Sequence, residues 1–189
     1  LVPILDEDRA LEFVTRSHVV LVRDYDKIDQ EYQRCISLDV IKTYGIGFRW
    51  VGDCGYPVKR TWVLPISSHE GTLRAVKLHR EKPLAEGQRK SGWAKFGTND
   101  RHAYFDFWPA PEWLNADKTE YLFLNGGELK ALTMLTLGFP ALAHTSGEMC
   151  QWTPEQGERF RGRSVAILYD DDGRGHLWRD AAVQFFYPF

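Results

Sequence analysis

Three aspartates in a row, Asp170, Asp171 and Asp172, follow a short apolar run at residues 165–169. The run, VAILY, has the length and the apolar character of a buried strand. Because side chains alternate along a strand, Asp170 and Asp172 are expected to point to the same side. Hard carboxylate oxygens at this spacing suit Mg²⁺ or Mn²⁺, and open α/β folds place ligands at the carboxyl ends of strands. The alternative is a solvated surface turn, since Asp and Gly are common turn formers.

A second group of candidate residues is basic and lies in the middle of the chain. Lysine and arginine side chains near Trp93 and Phe96 could neutralise phosphates while the rings stack on bases. In a strand, Lys77 and His79 share one face and Arg74 lies on the other. The alternative is an ordinary solvated basic loop. The group contains Arg60, Arg74, Lys77, Arg80, Arg89, Lys90 and Lys95. We assign nucleic-acid or nucleotide binding to Arg60, Lys77, Arg80, Lys90 and Lys95.

The composition is that of a folded chain with a substantial core. The 189 residues are 43% hydrophobic and 14% aromatic, which excludes a disordered chain and allows one large domain or two small ones. The net charge of −2 leaves nucleic-acid binding open, because local patches matter more than the sum. No apolar run approaches the roughly 20 residues of a membrane span. The three cysteines form no CxxC pair, which favours reduced thiols in a cytoplasmic protein and no zinc site.

The first half of the chain has helical patterns followed by strand patterns. Ser37 is a good N-cap and Gly45 a good terminator for the helix between them. A polar turn, SHEG, joins two strand-like runs at 60–67 and 72–80, which predicts a hairpin. Residues 81–103 are polar and basic, and we expect a long loop there. The three predicted helices are at 6–16, 26–35 and 37–45, and a further strand is predicted at 47–52.

The second half alternates strand and helix patterns. The strand-like segments are EYLFLN, FPALAHTSG and SVAILYDDD, and the helical ones are GGELKALTMLTLG, TPEQGERFRG and GHLWRDAAVQF. This order predicts parallel βαβ units with right-handed crossovers. The fold class is therefore an α+β amino-terminal subdomain at 1–115, followed by an α/β domain at 116–189 with a mainly parallel sheet. We expect the strands near 121–124 and 165–169 to be neighbours, which would bring Glu128 and Asp170 into one cleft.

Residues 116–189 resemble a TOPRIM domain, the α/β module of bacterial-type primases, topoisomerases and certain nucleases. The pattern of that family is an apolar strand ending in Glu-Gly, a helix, a second strand, and a later strand ending in Asp-x-Asp. The matching stretches here are YLFLNGGELKALTMLTLGFPALAHTSG and VAILYDDDGRGHLWRDAA. Asp170 and Asp172 stand on the Asp-x-Asp positions.

The first of these stretches departs from the TOPRIM pattern at its glutamate. Gly126 stands where the family has that glutamate, and Lys130 stands where many members have aspartate. Glu128 falls on a position that is often acidic in primase–helicase relatives, and the ELKA variant is similar to primase-like proteins of phages or mobile elements. Glu128 is expected to assist as a metal ligand. Its alternative role is that of an acid that complements the dipole at a helix N-terminus.

The amino-terminal half resembles a bacterial-type primase core. The stretch RTWVLPISSHEGTLRAVKLHR is similar to a primase segment in which Pro65, Ile66, Gly71 and a closing Arg80 have counterparts. The stretch SGWAKFGTN stands where primases have a Pro-Lys-Tyr segment, with Lys95 as its lysine. The order of these pieces along the chain favours a primase over a topoisomerase or a nuclease.

The resemblance implies a DNA primase-like nucleotidyltransferase that makes short primers on single-stranded DNA from nucleoside triphosphates. It implies that Glu128, Asp170 and Asp172 are both catalytic residues and ligands of Mg²⁺ or Mn²⁺, and that a replicative helicase is a possible partner. Because the chain ends soon after its last predicted helix, we expect further carboxy-terminal elements in the intact protein. Two alternatives stay open. One is a TOPRIM nucleic-acid-binding module that has lost catalysis, in a replication or defence complex, which Gly126 favours. The other is a TOPRIM nuclease.

Overall fold

A computed structural model shows a mixed α/β chain with two separate sheets, and six helices in the part that it describes. The chain divides into two compact units, Leu1–Tyr104 and Phe105–Phe189. The boundary expected near residue 115 lies outside the described residues. No helix in the described part is long and apolar enough to cross a membrane. The structure describes residues 6–50, 60–68, 71–81, 90–94, 96, 104–109 and 121–189.

Among its described residues, the first unit has three helices and an antiparallel sheet of four strands in the order β1-β2-β3-β4. The elements are α1 (Glu7–Arg23), α2 (Tyr25–Tyr32), α3 (Leu38–Thr43), β1 (Gly47–Arg49), β2 (Thr61–Ser67), β3 (Leu73–Arg80) and β4 (Ser91–Trp93). The predicted hairpin is confirmed, because β2 pairs with β3 throughout, and the Ser68 N–H donates to the Thr72 carbonyl at 2.8 Å. Helix α3 begins after Ser37, whose side chain accepts from the Val40 N–H.

Helix α1 is longer than the predicted helix at 6–16 because its buried face continues past that point. The side chain of Asp6 caps it by accepting from the Arg9 N–H at 3.1 Å, and the buried face extends to Leu21. Phe13 and Val14 pack on the sheet residues Val76 and Leu78. Burial of such side chains stabilises the unit by about 1.5–3 kcal/mol each. The core of the first unit therefore lies between α1 and the sheet.

The segment predicted as one long loop, 81–103, contains a strand. Lys77 in β3 is opposite Trp93 in β4, so β4 extends the hairpin by one strand. The sequence did not indicate this strand, because its three residues, Ser91, Gly92 and Trp93, are too few to show a periodic pattern. Most of the remaining segment lies outside the described residues.

The second unit has a four-stranded sheet in the order β5-β7-β6-β8, with β6 parallel to both of its neighbours. Strand β5 is antiparallel to β7. The predicted pairing of the strands near 121–124 and 165–169 is confirmed, because Leu124 is opposite Ile167. The elements are β5 (Phe107–Trp108), β6 (Leu122–Asn125), α4 (Glu128–Thr136), β7 (Ala141–His144), α5 (Pro154–Glu158), β8 (Val165–Leu168) and α6 (Gly173–Phe186).

Candidate functional site

The two segments that carry the candidate acids follow neighbouring parallel strands. Asn125, at the end of β6, is opposite Leu168, at the end of β8, and the Gly126 N–H donates to the Leu168 carbonyl at 2.9 Å. Residues 126–128 and 170–172 therefore leave the sheet at the same edge. This is the edge at which open α/β folds bind ligands.

A lysine joins two carboxylates at this edge. The ammonium group of Lys130, in the first turn of α4, contacts Oδ1 of Asp170 and lies 3.8 Å from Oε1 of Glu148. The same Glu148 oxygen accepts a hydrogen bond from the Asp170 N–H at 2.8 Å. The side chain of Glu148 is only 13% exposed, whereas those of Lys130 and Asp170 are 44% and 60% exposed. We call these three residues the lysine–carboxylate cluster.

The carboxylate of Glu148 occupies the space beside Gly126. A Cβ atom added to Gly126 would lie 1.9 Å from Oε1 of Glu148, which is far inside van der Waals contact. The space beside Gly126 is therefore filled by a carboxylate from another part of the chain. No motif in the sequence singles out Glu148. The available signal was that the segment containing Glu148 follows β7, a parallel strand that ends at the same edge.

Asp172 caps a helix. Its Oδ1 accepts from the Arg174 N–H at 2.9 Å and from the Gly175 N–H at 2.7 Å, which makes it the N-cap of α6. These bonds, the one from Gly175 above all, lower the pKa of Asp172 below its usual range. Asp171 instead lies 2.7 Å from His176. Strand β8 ends at Leu168, so residues 170–172 lie beyond it. The alternation of side chains that was expected for a strand therefore does not apply to them.

Glu128 is the first residue of α4 and is buried, with 4% exposure. This position agrees with the helix-dipole role, because the first turn of a helix stabilises a carboxylate. Lys130, in the same helical turn, belongs to the lysine–carboxylate cluster, and Glu128 does not. The joint placement of Glu128 and Asp170 in one cleft stays a prediction.

The expected Mg²⁺ or Mn²⁺ site is not formed by the described residues. They contain no group of three or more His, Cys, Asp or Glu side chains that could hold a metal ion. The ammonium of Lys130 lies where a cation would meet Glu148 and Asp170, and Asp172 is engaged in capping α6. The carboxylate oxygens of Glu148 and Asp170 suit a cation, but the cation beside them is the ammonium group of Lys130. As arranged, these residues do not fit a bound divalent ion.

Of the predicted basic residues, three lie at one end of the first sheet. Arg60 precedes β2, Arg80 ends β3 and is opposite Thr61, and the Lys90 carbonyl accepts from the Arg80 N–H at 2.8 Å. Lys90 is exposed, and Arg60 pairs with Glu31 at 3.0 Å. We call Arg60, Arg80 and Lys90 the basic sheet end. Lys95 and Arg89 lie outside the described residues.

Lys77 lies apart from this group and is buried, with 6% exposure. Its ammonium is 5.7 Å from the centre of the Trp93 ring, its cross-strand neighbour. His79 shares this face of β3, as alternation predicts. Burial, together with the charge of Arg34, lowers the pKa of His79 to about 4. Lys77 is therefore a buried cation, and His79 on the same face is half-buried.

An ion pair fixes the carboxyl end of β3. Glu81 accepts from Nε and Nη2 of Arg34 at 2.9 and 2.5 Å and from the indole N–H of Trp62 at 2.5 Å. Burial alone would raise the pKa of Glu81, but these hydrogen bonds lower it below its usual range. Two hydrogen bonds to one carboxylate place a guanidinium rigidly, so this contact fixes Glu81, the residue that follows β3.

Comparison with known proteins identifies the fold. The chain is similar to the zinc-binding and RNA polymerase domains of the Aquifex aeolicus primase, with a TM-score of 0.66, 16% identity, and coverage of 95% of this chain and 50% of that one. It is similar to the DnaG catalytic domain bound to ssDNA, with a TM-score of 0.66, 17% identity, and coverage of 95% and 67%. The primase fragment of the bacteriophage T7 primase-helicase gives a TM-score of 0.51 at 14% identity, with coverage of 81% and 59%.

The fold is that of a primase catalytic core, the class of protein to which all these structures belong. No family model and no curated protein matches the sequence. The chain spans between half and two thirds of the length of the first primase structures that it matches, 50% in one and 67% in another. At these identities the likeness concerns the fold.

Proposed function

We propose that this chain is a primase-type core that acts on single-stranded DNA in replication. The proposal is supported by the likeness in fold, which extends over both units, and by the primase-like order of the sequence motifs. One of the similar structures is a primase domain bound to ssDNA, and another belongs to a primase-helicase. Single-stranded DNA, nucleoside triphosphates and a replicative helicase are the partners that follow from this likeness.

The observation that carries the proposal is the edge at which β6 and β8 end together. The segments at 126–128 and 170–172 leave the sheet there, and the carboxylate of Glu148 lies in the space beside Gly126. In primer synthesis, Glu128, Asp170 and Asp172 would be the acidic residues of this edge. Because the ammonium of Lys130 lies beside Glu148 and Asp170, where it would repel a divalent ion, we propose binding of single-stranded DNA as the first activity of this chain.

For DNA binding, we assign the contact to the basic sheet end. Lys90 and Arg60 have exposed side chains there, and cations at a surface bind the phosphates of single strands with release of counterions. Changing both residues with Arg60→Gln and Lys90→Gln should weaken binding of an oligonucleotide several-fold, irrespective of its sequence. The slope of log affinity against log salt should fall by about 1.4, or 0.7 per lost phosphate contact.

The measurement is fluorescence anisotropy of labelled single-stranded oligonucleotides of two different sequences over a range of salt concentrations. The matched control is the double change of Arg9→Gln and Arg16→Gln, which removes the same charge from the exposed side of α1. Equal affinities for the wild-type protein and the Arg60/Lys90 variant would contradict the assignment. If the wild-type protein binds no single-stranded DNA at all, the proposed function is wrong.

A second candidate function is primer synthesis itself, and the position of Glu148 beside Gly126 favours it. The test is extension on a single-stranded template with nucleoside triphosphates and either Mg²⁺ or Mn²⁺. Products that require template, metal and Asp170 would establish synthesis. Binding of the template without any product would leave the chain as a primase-type binding module.

A further inference from the structure

Three residues that the TOPRIM pattern does not account for lie together in this structure. Gly126 lacks the carboxylate that the resemblance implies, Lys130 stands where the pattern has an aspartate, and Glu148 has no counterpart in the pattern. We infer that these changes form one exchange: Glu148 replaces the side chain missing at Gly126, and Lys130 is a tethered cation that takes the place of a divalent metal ion. This inference rests on the primase-type likeness of the proposed function, but its test does not depend on activity.

The geometry of Gly126 supports the first half of the exchange. The Glu148 carboxylate can lie where it does only because residue 126 has no Cβ, since that atom would be 1.9 Å from Oε1 and 2.7 Å from Cδ of Glu148. Gly126 is not among the glycines with a positive φ, so a glycine is not required there by the backbone. What the glycine provides is room for the carboxylate.

The charges support the second half. The Asp170 N–H donates a hydrogen bond to Glu148, so the two residues are close neighbours. The negative charges of their carboxylates would repel each other without a cation nearby. The ammonium of Lys130 contacts Asp170 and lies 3.8 Å from Glu148, so it offsets both. A divalent ion bound to the same oxygens would lie beside this ammonium and be repelled by it. Lys130 therefore both neutralises the site and competes with a metal ion.

The test is direct measurement of Mn²⁺ binding, from the electron paramagnetic resonance signal of free Mn²⁺, together with thermal melts in Mn²⁺ and Mg²⁺. The wild-type protein should show little binding and almost no change in melting temperature. The Lys130→Ala and Lys130→Met variants should melt lower without metal, bind Mn²⁺ about tenfold or more tightly than the wild type, and be restabilised by it. Adding Glu148→Gln to Lys130→Ala should remove the acquired binding.

The matched control is Lys42→Ala, which removes an exposed helical lysine of the first unit and should leave Mn²⁺ binding unchanged. The inference is overturned if the wild-type protein binds Mn²⁺ as tightly as the Lys130 variants, or if those variants acquire no binding. The Met variant keeps the aliphatic stem of the side chain, and circular dichroism of both variants checks their fold. A protein that fails to bind single-stranded DNA but acquires Mn²⁺ binding through Lys130→Ala would contradict the proposed function alone.

Discussion

Replacement of Gly126 with alanine tests whether Glu148 is held in place by the absence of a side chain. The new Cβ would lie 1.9 Å from Oε1, 2.7 Å from Cδ and 2.8 Å from Cγ of Glu148. All three atoms belong to a flexible side chain, so the backbone can stay in place while the carboxylate moves away. In moving, Glu148 loses its hydrogen bond from the Asp170 N–H and its position near Lys130.

The expected cost follows from the bond that is lost. A hydrogen bond to a charged group contributes about 1.5–3 kcal/mol. The Asp170 N–H lies in an exposed segment and can bond to water instead, which reduces the expected loss of unfolding free energy to about 1–2 kcal/mol. Glu148→Ala removes the same bond and should have a similar effect. In the Glu148→Ala background, Gly126→Ala should have almost no effect, because the space beside it is then empty.

The double-mutant cycle of these two changes should therefore give a coupling free energy of about 1–2 kcal/mol. Urea denaturation followed by circular dichroism measures each corner of the cycle, and an unchanged m-value shows that the unfolding reaction is the same. Glu148→Gln is the control, because its amide carbonyl can still accept from Asp170 and should still collide with the Cβ of Gly126→Ala. Strictly additive effects, or a neutral Gly126→Ala, would refute the placement of Glu148.

Two further predictions concern the cap of α6 and the buried histidine. Asp172→Ala should lower the midpoint of thermal unfolding, because the first turn of α6 loses its hydrogen-bond acceptor. Asp172→Asn can still accept these hydrogen bonds and should have a much smaller effect. Calorimetry of the two variants and the wild-type protein measures the difference. His79 has a pKa of about 4 in the folded protein, below its unfolded value of about 6.5, so the folded state binds fewer protons between these values. The unfolding free energy that depends on neutral His79 is therefore fully present above about pH 6.5 and is lost as the pH falls towards 4. The loss of unfolding free energy is about 2 kcal/mol at about pH 5. Urea titrations across this range should show a flatter profile for His79→Gln than for the wild-type protein. The charged groups that act on His79 are Arg34, Glu81, Lys77 and Lys90.

Local patterns in the sequence determined the secondary structure and the strand pairing around the site. The alternation of strands and helices after residue 116 predicted that the strands near 121–124 and 165–169 would be adjacent or nearly so, and they pair in parallel. The hairpin of β2 and β3 was equally predictable, since its turn and its two apolar runs are adjacent in the sequence. These features depend on periodicity over a few residues, which a sequence records directly.

The tertiary structure alone decided which side chains share the site. Nothing in the local sequence relates Glu148 to Gly126, because the contact arises from two different loops that meet at a sheet edge. Strand β8 ends at Leu168, and Asp172 caps the helix that follows it. A strand continuing through Asp172, as the sequence suggested, would not have predicted this capping role. Lys77, to which the sequence assigned nucleic-acid or nucleotide binding, is buried beside Trp93. Each outcome depends on long-range packing, because a side chain's burial and charge partners are set by segments distant in the sequence.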